Sequence, residues 1–317
     1  MKKNYKIAIV GLGSIGKRHL MNILDELKDR NISCTIDLIR SNPQKKISED
    51  VGKFINNCYY TTEEVPDDYD AIFISNPTHL HYETIQTFAP KSKNLFIEKP
   101  IFDNPNQSIE ELNLNKKSIY YVACPLRYMD IIDFVRQKFD LKNVLCARVI
   151  SSSYLPNWRK HVDYRKSYSA FETKGGGVSL DLIHEWDYIQ YLFGKPLEIH
   201  NFRGKVSDLE IDSDDISIYI AKYKNMMVEV HLDYFGQEII REMQLFMKDD
   251  TVKVDLVKNE LVFQKSKETI RFHDTRDDFQ RKEITYFFDL IEGKKINHNT
   301  IDQAFETLKL AKEAISL

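Results

Sequence analysis

A six-residue glycine loop, GLGSIG from Gly11 to Gly16, is the feature that most narrows what this chain can fold into. It follows a short apolar run, Tyr5 to Val10, which is typical of a buried strand. Apolar residues at helical spacing come after it. A glycine loop between a strand and a helix is the setting in which this pattern predicts dinucleotide binding. The alternative is a tight turn that binds no ligand.

Each part of the loop has a distinct expected role. Gly11 permits the tight turn, Gly13 lets the backbone approach a pyrophosphate, and Gly16 lets the helix pack closely on the strand. The N–H groups at the start of the helix, including those of Ser14 and Ile15, are expected to face the phosphates.

The residues after the second predicted strand, Cys34 to Ile39, indicate which dinucleotide binds. Proteins that bind NAD normally carry Asp or Glu there, bonded to the ribose 2'-hydroxyl. This chain carries Arg40 and Ser41, which can bind a 2'-phosphate through charge-assisted hydrogen bonds. The sequence therefore predicts NADP as the preferred cofactor. The alternative is NAD, with the acid supplied by Asp37 inside the strand.

The order of apolar runs predicts an α/β protein of two domains. In residues 1–122, short apolar strands alternate with helices, which favours a parallel Rossmann sheet covered on both faces. From about residue 143 a series of strands is predicted, including Val144 to Ser152 and Ile216 to Lys222, and several of them alternate polar and apolar residues. This pattern favours an open, mostly antiparallel sheet in an α+β domain over residues 123–317. Helices are predicted over Leu180 to Leu192 and over Ile301 to Ile315.

Composition and charge exclude several classes of protein. A net charge of −3 gives no reason to expect a nucleic-acid or membrane partner. The first apolar run is too short for a signal peptide, and no apolar stretch approaches the roughly 20 residues of a membrane helix. The four cysteines form no zinc or redox motif, which suits free thiols in a reducing compartment. We therefore expect a cytoplasmic protein.

Two further motifs carry candidate chemistry. Glu98-Lys99-Pro100 follows a predicted strand of the parallel sheet, at the edge where such sheets bind ligands. Three consecutive glycines, Gly175 to Gly177, precede Asp181 and His184, which at a spacing of three are expected to share one helix face. No other ligand motif lies near this histidine, so we expect no metal site.

Four motifs together resemble the Gfo/Idh/MocA (glucose–fructose oxidoreductase/inositol dehydrogenase) family. They are the glycine loop, NPTHLH from Asn76 to His81, Glu98-Lys99-Pro100, and the segment from Gly175 to Asp187. Their order and spacing match over nearly the whole chain. The resemblance implies a Rossmann domain, a second domain whose open sheet commonly forms a dimer interface, and hydride transfer to or from a sugar, a cyclitol or a sugar derivative. A homodimer or homotetramer is therefore expected.

The resemblance also implies residue roles. Lys99 is expected beside the nicotinamide ribose and the reacting hydroxyl, with Asp181 and His184 on the opposite side of the substrate. One departure concerns Asp181, because the family usually separates that aspartate from its histidine by four residues. Other expected contacts are with the cofactor, made by Asn76, Pro77, His81 and Glu98, and with the substrate, made by Arg127.

The loop before the triple glycine indicates a polar substrate. Trp158 can stack on a sugar face, and Arg165 can bind a carboxylate or phosphate. Three segments resemble in sequence a branch of the family that is associated with bacterial surface-polysaccharide and nonulosonic sugars. They are YLPNWR, DYRKSYSA and DLIHEWDY. The sequence leaves two alternatives open: a non-catalytic NAD(P)-binding regulator and a reductase of a non-sugar substrate.

Overall fold

The computed structural model describes residues 3–312 and 315–316, and this part of the chain divides into two compact units. The first unit comprises the chain up to Ala123 together with Gln280–Phe305. The second unit comprises Cys124–Phe279 together with the chain from Glu306 onward.

The first unit is built on a parallel sheet. Its strands are β1 (Asn4–Val10), β2 (Ser33–Ile39), β3 (Asn57–Tyr59), β4 (Ala71–Ile74), β5 (Asn94–Ile97) and β6 (Ile119–Val122). Within the described residues these six strands pair in the order β3-β2-β1-β4-β5-β6, all in parallel. Every residue of β4 and β5 is buried, as expected for strands covered on both faces. The predicted Rossmann sheet is therefore confirmed.

Helices cover this sheet and supply its aromatic core. They are α1 (Ser14–Asp29), α2 (Glu49–Gly52), α3 (His81–Phe88) and most of α7 (Arg276–Ile291). Phe73 of β4 stacks on Phe96 of β5 with ring centroids 4.9 Å apart, and Phe287 of α7 meets both rings edge-on. The strand order reverses between β1 and β4, and such a switch point is where open α/β sheets bind ligands.

The second unit is built on a mostly antiparallel sheet. Its strands are β7 (Val144–Ser152), β8 (Glu198–Gly204), β9 (Ile216–Lys222), β10 (Met227–Asp233), β11 (Ile240–Met247), β12 (Thr251–Asp255), β13 (Glu260–Phe263), β14 (Thr269–Arg271) and β15 (Ile315–Ser316). Counting only described residues, nine strands pair in the order β14-β13-β12-β11-β7-β10-β9-β8-β15. Two of these pairs, β7 with β10 and β8 with β15, are parallel. The predicted open, mostly antiparallel sheet is confirmed.

One face of this second sheet is covered by helices, and the other carries exposed apolar side chains. The helices of the unit are α4 (Asp130–Lys138), α5 (Val178–Asp181), α6 (His184–Phe193) and the later part of α8 (Ile301–Lys312). Trp186 of α6 packs edge-on against Tyr219 of β9 at 5.2 Å. Along β9 buried residues alternate with exposed ones, including Ile218 and Ile220, as in a sheet covered on one face.

Two predicted helices differ from the observed ones. The helix predicted over Leu180 to Leu192 is two helices, because the backbone leaves helical geometry at Leu182. The helix predicted to reach Ile315 ends at Lys312, and residues 313 and 314 of that prediction lie outside the described part of the chain. Strands β3, β8, β14 and β15 were not predicted, because they are short or lack an apolar run. Ile315, predicted as the last residue of a helix, is the first residue of β15.

Candidate active site

The turn between β1 and α1 is held by Gly11. Its φ is +88°, a left-handed value that favours glycine, and its N–H donates to the carbonyl of Ile39 at 2.9 Å. A Cβ at Gly11 would lie only 3.1 Å from backbone atoms of Asn76. The glycine therefore lets the turn after β1 approach the turn after β4, at the switch point of the sheet.

Gly13 and Gly16 have different steric surroundings. A Cβ at Gly16 would lie 2.3 Å from the carbonyl oxygen of Gly11 and 2.7 Å from Oγ of Ser75, so packing within the protein requires glycine there. At Gly13 a Cβ would have no heavy atom of the described residues within 4 Å. Packing in the protein alone does not require glycine at Gly13, whereas close approach by a ligand does.

The N-terminus of α1 fits an anionic ligand. No side-chain hydrogen bond from the described residues caps this end of the 16-residue helix, and its first turn carries no acidic residue. Ser14 is exposed and Ile15 is half-buried at this end. The N–H groups and the helix dipole favour negative charge here. Together with the open space at Gly13, this end of α1 fits the pyrophosphate of a dinucleotide.

Arg40, rather than Asp37, lies at the exposed end of β2. Asp37 is 2% exposed, and its carboxylate accepts hydrogen bonds from Asn57 at 2.8 Å and from the hydroxyl of Tyr69 at 2.8 Å. Arg40 is half-buried and donates to the carbonyls of Asn42 and Lys45, and Ser41 is exposed. The Asp37 carboxylate is therefore buried and already hydrogen-bonded within the protein. This supports Arg40, rather than Asp37, as the candidate for contact with the adenosine ribose of a dinucleotide.

The segment after β4 supplies Asn76, Pro77 and His81. Nδ2 of Asn76 donates to Thr84 at 2.7 Å, while its Oδ1 is buried and has no hydrogen-bond partner among the described residues. Pro77 is exposed. An orphaned acceptor at the switch point fits a dinucleotide, because a ribose hydroxyl would supply the missing donor.

His81 is placed between two backbone carbonyls rather than on the surface. The ring is 1% exposed, with Nδ1 2.9 Å from the carbonyl oxygen of Pro100 and Nε2 3.0 Å from that of Asn76. Burial lowers the pKa of His81, which outweighs the two carbonyl contacts and favours the neutral ring. The ring links the turn after β4 to the turn after β5, and its predicted cofactor contact stays a prediction.

Glu98 and Lys99 form the turn after β5. His19, which was not predicted as a site residue, contacts this turn through Glu98. Oε1 of Glu98 lies 2.5 Å from Nε2 of His19, which is 1% exposed on α1. Lys99 is half-buried at the same sheet edge as the glycine turn. The only sequence signal for His19 was its position three residues after Gly16, on the helix that the glycine loop opens.

The triple glycine in the second unit serves close packing rather than phosphate binding. A Cβ at Gly176 would lie 2.4 Å from the carbonyl oxygen of Tyr168, and one at Gly177 would lie 2.3 Å from Oδ1 of Asp214. The carboxylate of Asp214 also accepts the N–H of Ser179 at 2.9 Å, near the start of α5. The glycines therefore bring the loop and the Asp214 carboxylate against the helix that ends at Asp181.

Asp181 lies among tyrosine hydroxyls. It is 7% exposed, and its Oδ2 accepts a hydrogen bond from Tyr234 at 2.6 Å. The Asp181 charge, burial and a hydrogen bond to Asp181 together raise the pKa of Tyr168 well above its usual value. Burial and the same charge raise the pKa of Tyr234. Both tyrosines therefore stay protonated and act as donors to the carboxylate.

The break in the helix separates Asp181 from His184. Asp181 is the last residue of α5, and His184 is the first residue of α6 and is half-buried. The N–H of Glu185 donates to the carbonyl of Leu182 at 3.2 Å, a tighter spacing than in an α-helix. The expectation that the two residues share one helix face is therefore wrong.

Arg127 is paired inside the second unit. It is 7% exposed, and its guanidinium donates two bonds to the Asp187 carboxylate, from Nε at 2.9 Å and from Nη2 at 2.7 Å. Its charge also lies 5.0 Å from the ring centre of Tyr191. The charge of Arg127, a predicted substrate contact, is therefore matched by Asp187.

Trp158 and Arg165 lie in different surroundings. The Trp158 ring packs edge-on against Tyr234 at 5.2 Å, and its Nε1 donates to Ser153 at 2.9 Å, which places it beside the Asp181 cluster. The exposed Arg165 guanidinium binds Asp163 at 2.9 Å and Glu210 at 3.0 Å. Trp158 therefore stays a candidate for substrate contact, whereas acidic neighbours already match the charge of Arg165.

Two other kinds of feature are absent from residues 3–312 and 315–316. That part of the chain contains no group of three His, Cys, Asp or Glu side chains that could hold a metal ion. It also contains no helix with the length and apolar character needed to cross a bilayer.

Comparison with known proteins finds similarity to a family of oxidoreductases. A family model described as "Oxidoreductase family, NAD-binding Rossmann fold" (GFO_IDH_MocA) matches residues 5–122. Residues 5–122 are therefore similar to the NAD-binding Rossmann domain of that oxidoreductase family. It is 23% identical over 214 residues to scyllo-inositol 2-dehydrogenase (NAD(+)) of Bacillus subtilis strain 168, which covers 65% of this chain and 59% of the relative. It is 24% identical over 240 residues to myo-inositol 2-dehydrogenase of Thermotoga maritima, covering 69% of this chain and 65% of the relative. The chain thus spans less than two thirds of the length of these curated relatives.

Solved structures share the fold of this chain over nearly its whole length. A levoglucosan dehydrogenase in complex with NADH and levoglucosan has a TM-score of 0.81 at 15% identity, over 98% of this chain and 95% of that one. The WlbA dehydrogenase from Bordetella pertussis, in complex with NADH and UDP-GlcNAcA, has a TM-score of 0.76 at 13% identity, over 98% and 94%. At these identities the likeness establishes the fold.

Proposed function

We propose that this chain is an NAD(P)-dependent dehydrogenase or reductase acting on a hydroxyl or keto carbon of a sugar or sugar derivative. The observation that carries the proposal is the shared sheet edge of the first unit. The open space at Gly13 and the uncapped start of α1 follow β1. Lys99 follows β5, which is separated from β1 in the sheet only by β4. The naming of the curated relatives as inositol dehydrogenases supports this class of reaction.

The residues divide into a cofactor set and a reaction set. Gly11, Gly13 and Gly16 with the start of α1 would hold the pyrophosphate, and Arg40 with Ser41 would favour the 2'-phosphate of NADP over NAD. When bound, the nicotinamide supplies a hydride acceptor or donor. Lys99 and His184 are the groups that would hold or move the hydroxyl proton, and Asp181, fixed by Tyr234, would orient its partners.

The proposed substrate is a nucleotide sugar or an acidic amino sugar of surface-polysaccharide synthesis. Two structural neighbours support this class by their names, since one is a UDP-N-acetylglucosamine 3-dehydrogenase and another is in complex with UDP-GlcNAcA. Trp158, half-buried beside the Asp181 cluster, offers an aromatic surface on which a sugar face can stack.

The second unit is proposed to carry the substrate contacts and the contact between subunits of a homodimer or homotetramer. Exposed apolar residues lie on one face of its sheet, among them Phe202 at 46%, Ile218 at 37% and Ile220 at 47%. Phe202 and Ile218 are direct partners across β8 and β9, so they form one continuous patch. Ile220→Lys should shift the protein toward monomer in sedimentation velocity, whereas Ile296→Lys, at an exposed position of the first unit, should not.

Turnover with a substrate panel tests the proposed reaction. Purified protein is mixed with NADP(H) or NAD(H) and with polyols, nucleotide sugars or acidic amino sugars, and absorbance at the nicotinamide band is followed.

Lys99→Met and His184→Asn should each lower kcat by about a hundredfold, the usual scale for losing a general acid or base. Lys93→Met, at an exposed ion-paired lysine, and His273→Asn, at an exposed histidine of the second unit, serve as matched controls. Full turnover in Lys99→Met and His184→Asn would refute the assignment, and turnover of simple polyols alone would refute the substrate class.

A further inference from the structure

His19 connects two parts of the first unit that the proposed reaction uses. It lies on α1 three residues beyond Gly16, and its ring packs edge-on against Phe96 of β5 at 4.9 Å. Its Nε2 lies 2.5 Å from Oε1 of Glu98, and the histidine side chain is 1% exposed. The contact therefore joins the glycine-loop helix to the turn after β5 inside the protein.

The Glu98 carboxylate also accepts a hydrogen bond from the backbone of Lys99. Glu98 directly follows β5, and its side chain is 14% exposed. While Oε1 meets His19, Oε2 accepts the N–H of Lys99 at 3.3 Å. One carboxylate thus bridges a helix and the amide of the candidate catalytic lysine, so a change at His19 can reach Lys99 through a single side chain.

The carboxylate is kept ionised in this bridge. Burial raises the pKa of Glu98, but the hydrogen bond from His19 and the positive charges of His19 and Lys99 outweigh burial and hold the pKa below its usual value. An ionised carboxylate is the stronger acceptor, and charge-assisted hydrogen bonds of this kind fix geometry more firmly than neutral ones.

We propose that His19 is a positioning residue, which fixes the backbone at Lys99 relative to the start of α1 by holding the Glu98 carboxylate. The inference rests on the proposed function for the role of Lys99. The bridge gives a hydrogen-bond partner to a histidine that is buried on α1 beside the apolar residues Leu20 and Ile23.

Side-chain isosteres give a direct test by activity. His19→Gln can place an N–H near the site of Nε2, whereas His19→Leu fills the space without a donor. We expect His19→Leu to lower kcat by about tenfold, the scale of one lost hydrogen bond to a charged group, and His19→Gln to restore most of it. The Kd of NADPH, measured by fluorescence, should change by less than about twofold, because the phosphate-binding backbone keeps its own contacts.

A second readout needs no turnover. The lysines are reductively methylated with ¹³C, and the Lys99 signal is assigned by its loss in Lys99→Arg. We expect its chemical shift and titration midpoint to move in His19→Leu and to return in His19→Gln. The matched control is Tyr121→Phe, which removes the buried bond from Tyr121 to Glu283 at 3.0 Å in the same unit and should leave the signal in place. If His19→Leu does not fold, Glu98→Gln, which weakens the acceptor and retains His19, is used in its place with the same expectation.

The outcomes separate this inference from the proposed function. Wild-type turnover with unchanged kcat and an unmoved Lys99 signal in His19→Leu would overturn the positioning role alone. Equal effects of His19→Leu and Tyr121→Phe would also overturn it, because general destabilisation would then explain both. A moved Lys99 signal that returns in His19→Gln supports the bridge even if no substrate of the panel turns over, a result that would count against the proposed function.

Discussion

The hydroxyl of Tyr234 donates to Oδ2 of Asp181 at 2.6 Å, and both side chains are almost inaccessible to solvent, at 0% and 7%. This contact bears on the unusual spacing between Asp181 and His184. Because α5 ends at Asp181 and α6 begins at His184, the two side chains leave from different helices. A carboxylate held by a buried tyrosine is suited to orienting a partner, which favours His184 as the residue of this pair that moves a proton.

Removing the Tyr234 hydroxyl should therefore impair catalysis more than folding. Tyr234→Phe is expected to lower kcat/KM by about tenfold or more, since a hydrogen bond to a charged group contributes about 1.5–3 kcal/mol. Turnover and thermal unfolding are measured on the same preparation. The control is Tyr223→Phe, which removes a hydroxyl bonded to the carbonyl of Gly194 at 3.2 Å in the same unit. Similar losses of activity in both variants would contradict an orienting role for Tyr234.

The two glycines that flank the start of α1 should respond in opposite ways to alanine. Gly13→Ala adds a Cβ where no described heavy atom lies within 4 Å, so we expect unchanged thermal stability and a Kd for NADPH raised by about tenfold or more. Gly16→Ala places a Cβ 2.3 Å from a backbone oxygen, so we expect a loss of about 1–3 kcal/mol in the free energy of unfolding. Fluorescence titration and thermal melts separate the two effects. Normal NADPH affinity in Gly13→Ala would contradict the proposal that the cofactor pyrophosphate binds at this turn.

The fold was largely predictable because its strongest signals are local. Short, mostly apolar runs predicted five of the six strands that the structure describes in the first unit, and the glycine loop predicted the connection after β1. The strands β7 and β9 begin and end at the predicted residues, Val144–Ser152 and Ile216–Lys222. The strands missed, such as β3 and β14, are three residues long and take their structure from neighbours rather than from their own pattern.

The site was less predictable because its main contacts join distant parts of the chain. His19 meets Glu98 across 79 residues, and Arg127 meets Asp187 across 60, so no local pattern could indicate either pair. The break between Asp181 and His184 was also hidden, because the apolar residues on both sides continue at helical spacing. Sequence patterns led to candidate residues for the site but did not indicate which of their charges were already matched by neighbours.

Cofactor preference should depend on Arg40 and not on Asp37. Arg40→Ala is expected to lower kcat/KM for NADPH by about tenfold while leaving that for NADH within about twofold, because it would remove the proposed charge-assisted contact to the 2'-phosphate. Asp37→Asn should lower the melting temperature, since this buried carboxylate accepts from Asn57 and Tyr69, and should leave the ratio of the two cofactors unchanged. A ratio that shifts in Asp37→Asn and not in Arg40→Ala would reverse the assignment.

Acid stability should depend on Glu292, which lies among three cations. Its carboxylate binds Lys294 at 2.7 Å, Arg30 at 2.9 Å and Lys3 at 3.2 Å. The Lys294 hydrogen bond, helped by Lys3 and Arg30 and opposed by burial, lowers the pKa of Glu292 to about 2. A folded-state pKa below the unfolded value of about 4.3 means that this stabilisation is present above that value and is lost as the pH falls toward 2.

Glu292→Gln should therefore lower the free energy of unfolding by about 1 kcal/mol at neutral pH, on the scale of a partly exposed ion pair. The difference from wild type should shrink as the pH falls from about 4.3 toward 2, because the wild-type carboxylate is then protonated as well. Urea unfolding at a series of pH values measures this difference, with the exposed Glu64→Gln as control. If the difference in the free energy of unfolding between wild type and Glu292→Gln stayed constant down to pH 2, the packing of the Glu292 side chain rather than its charge would stabilise the fold.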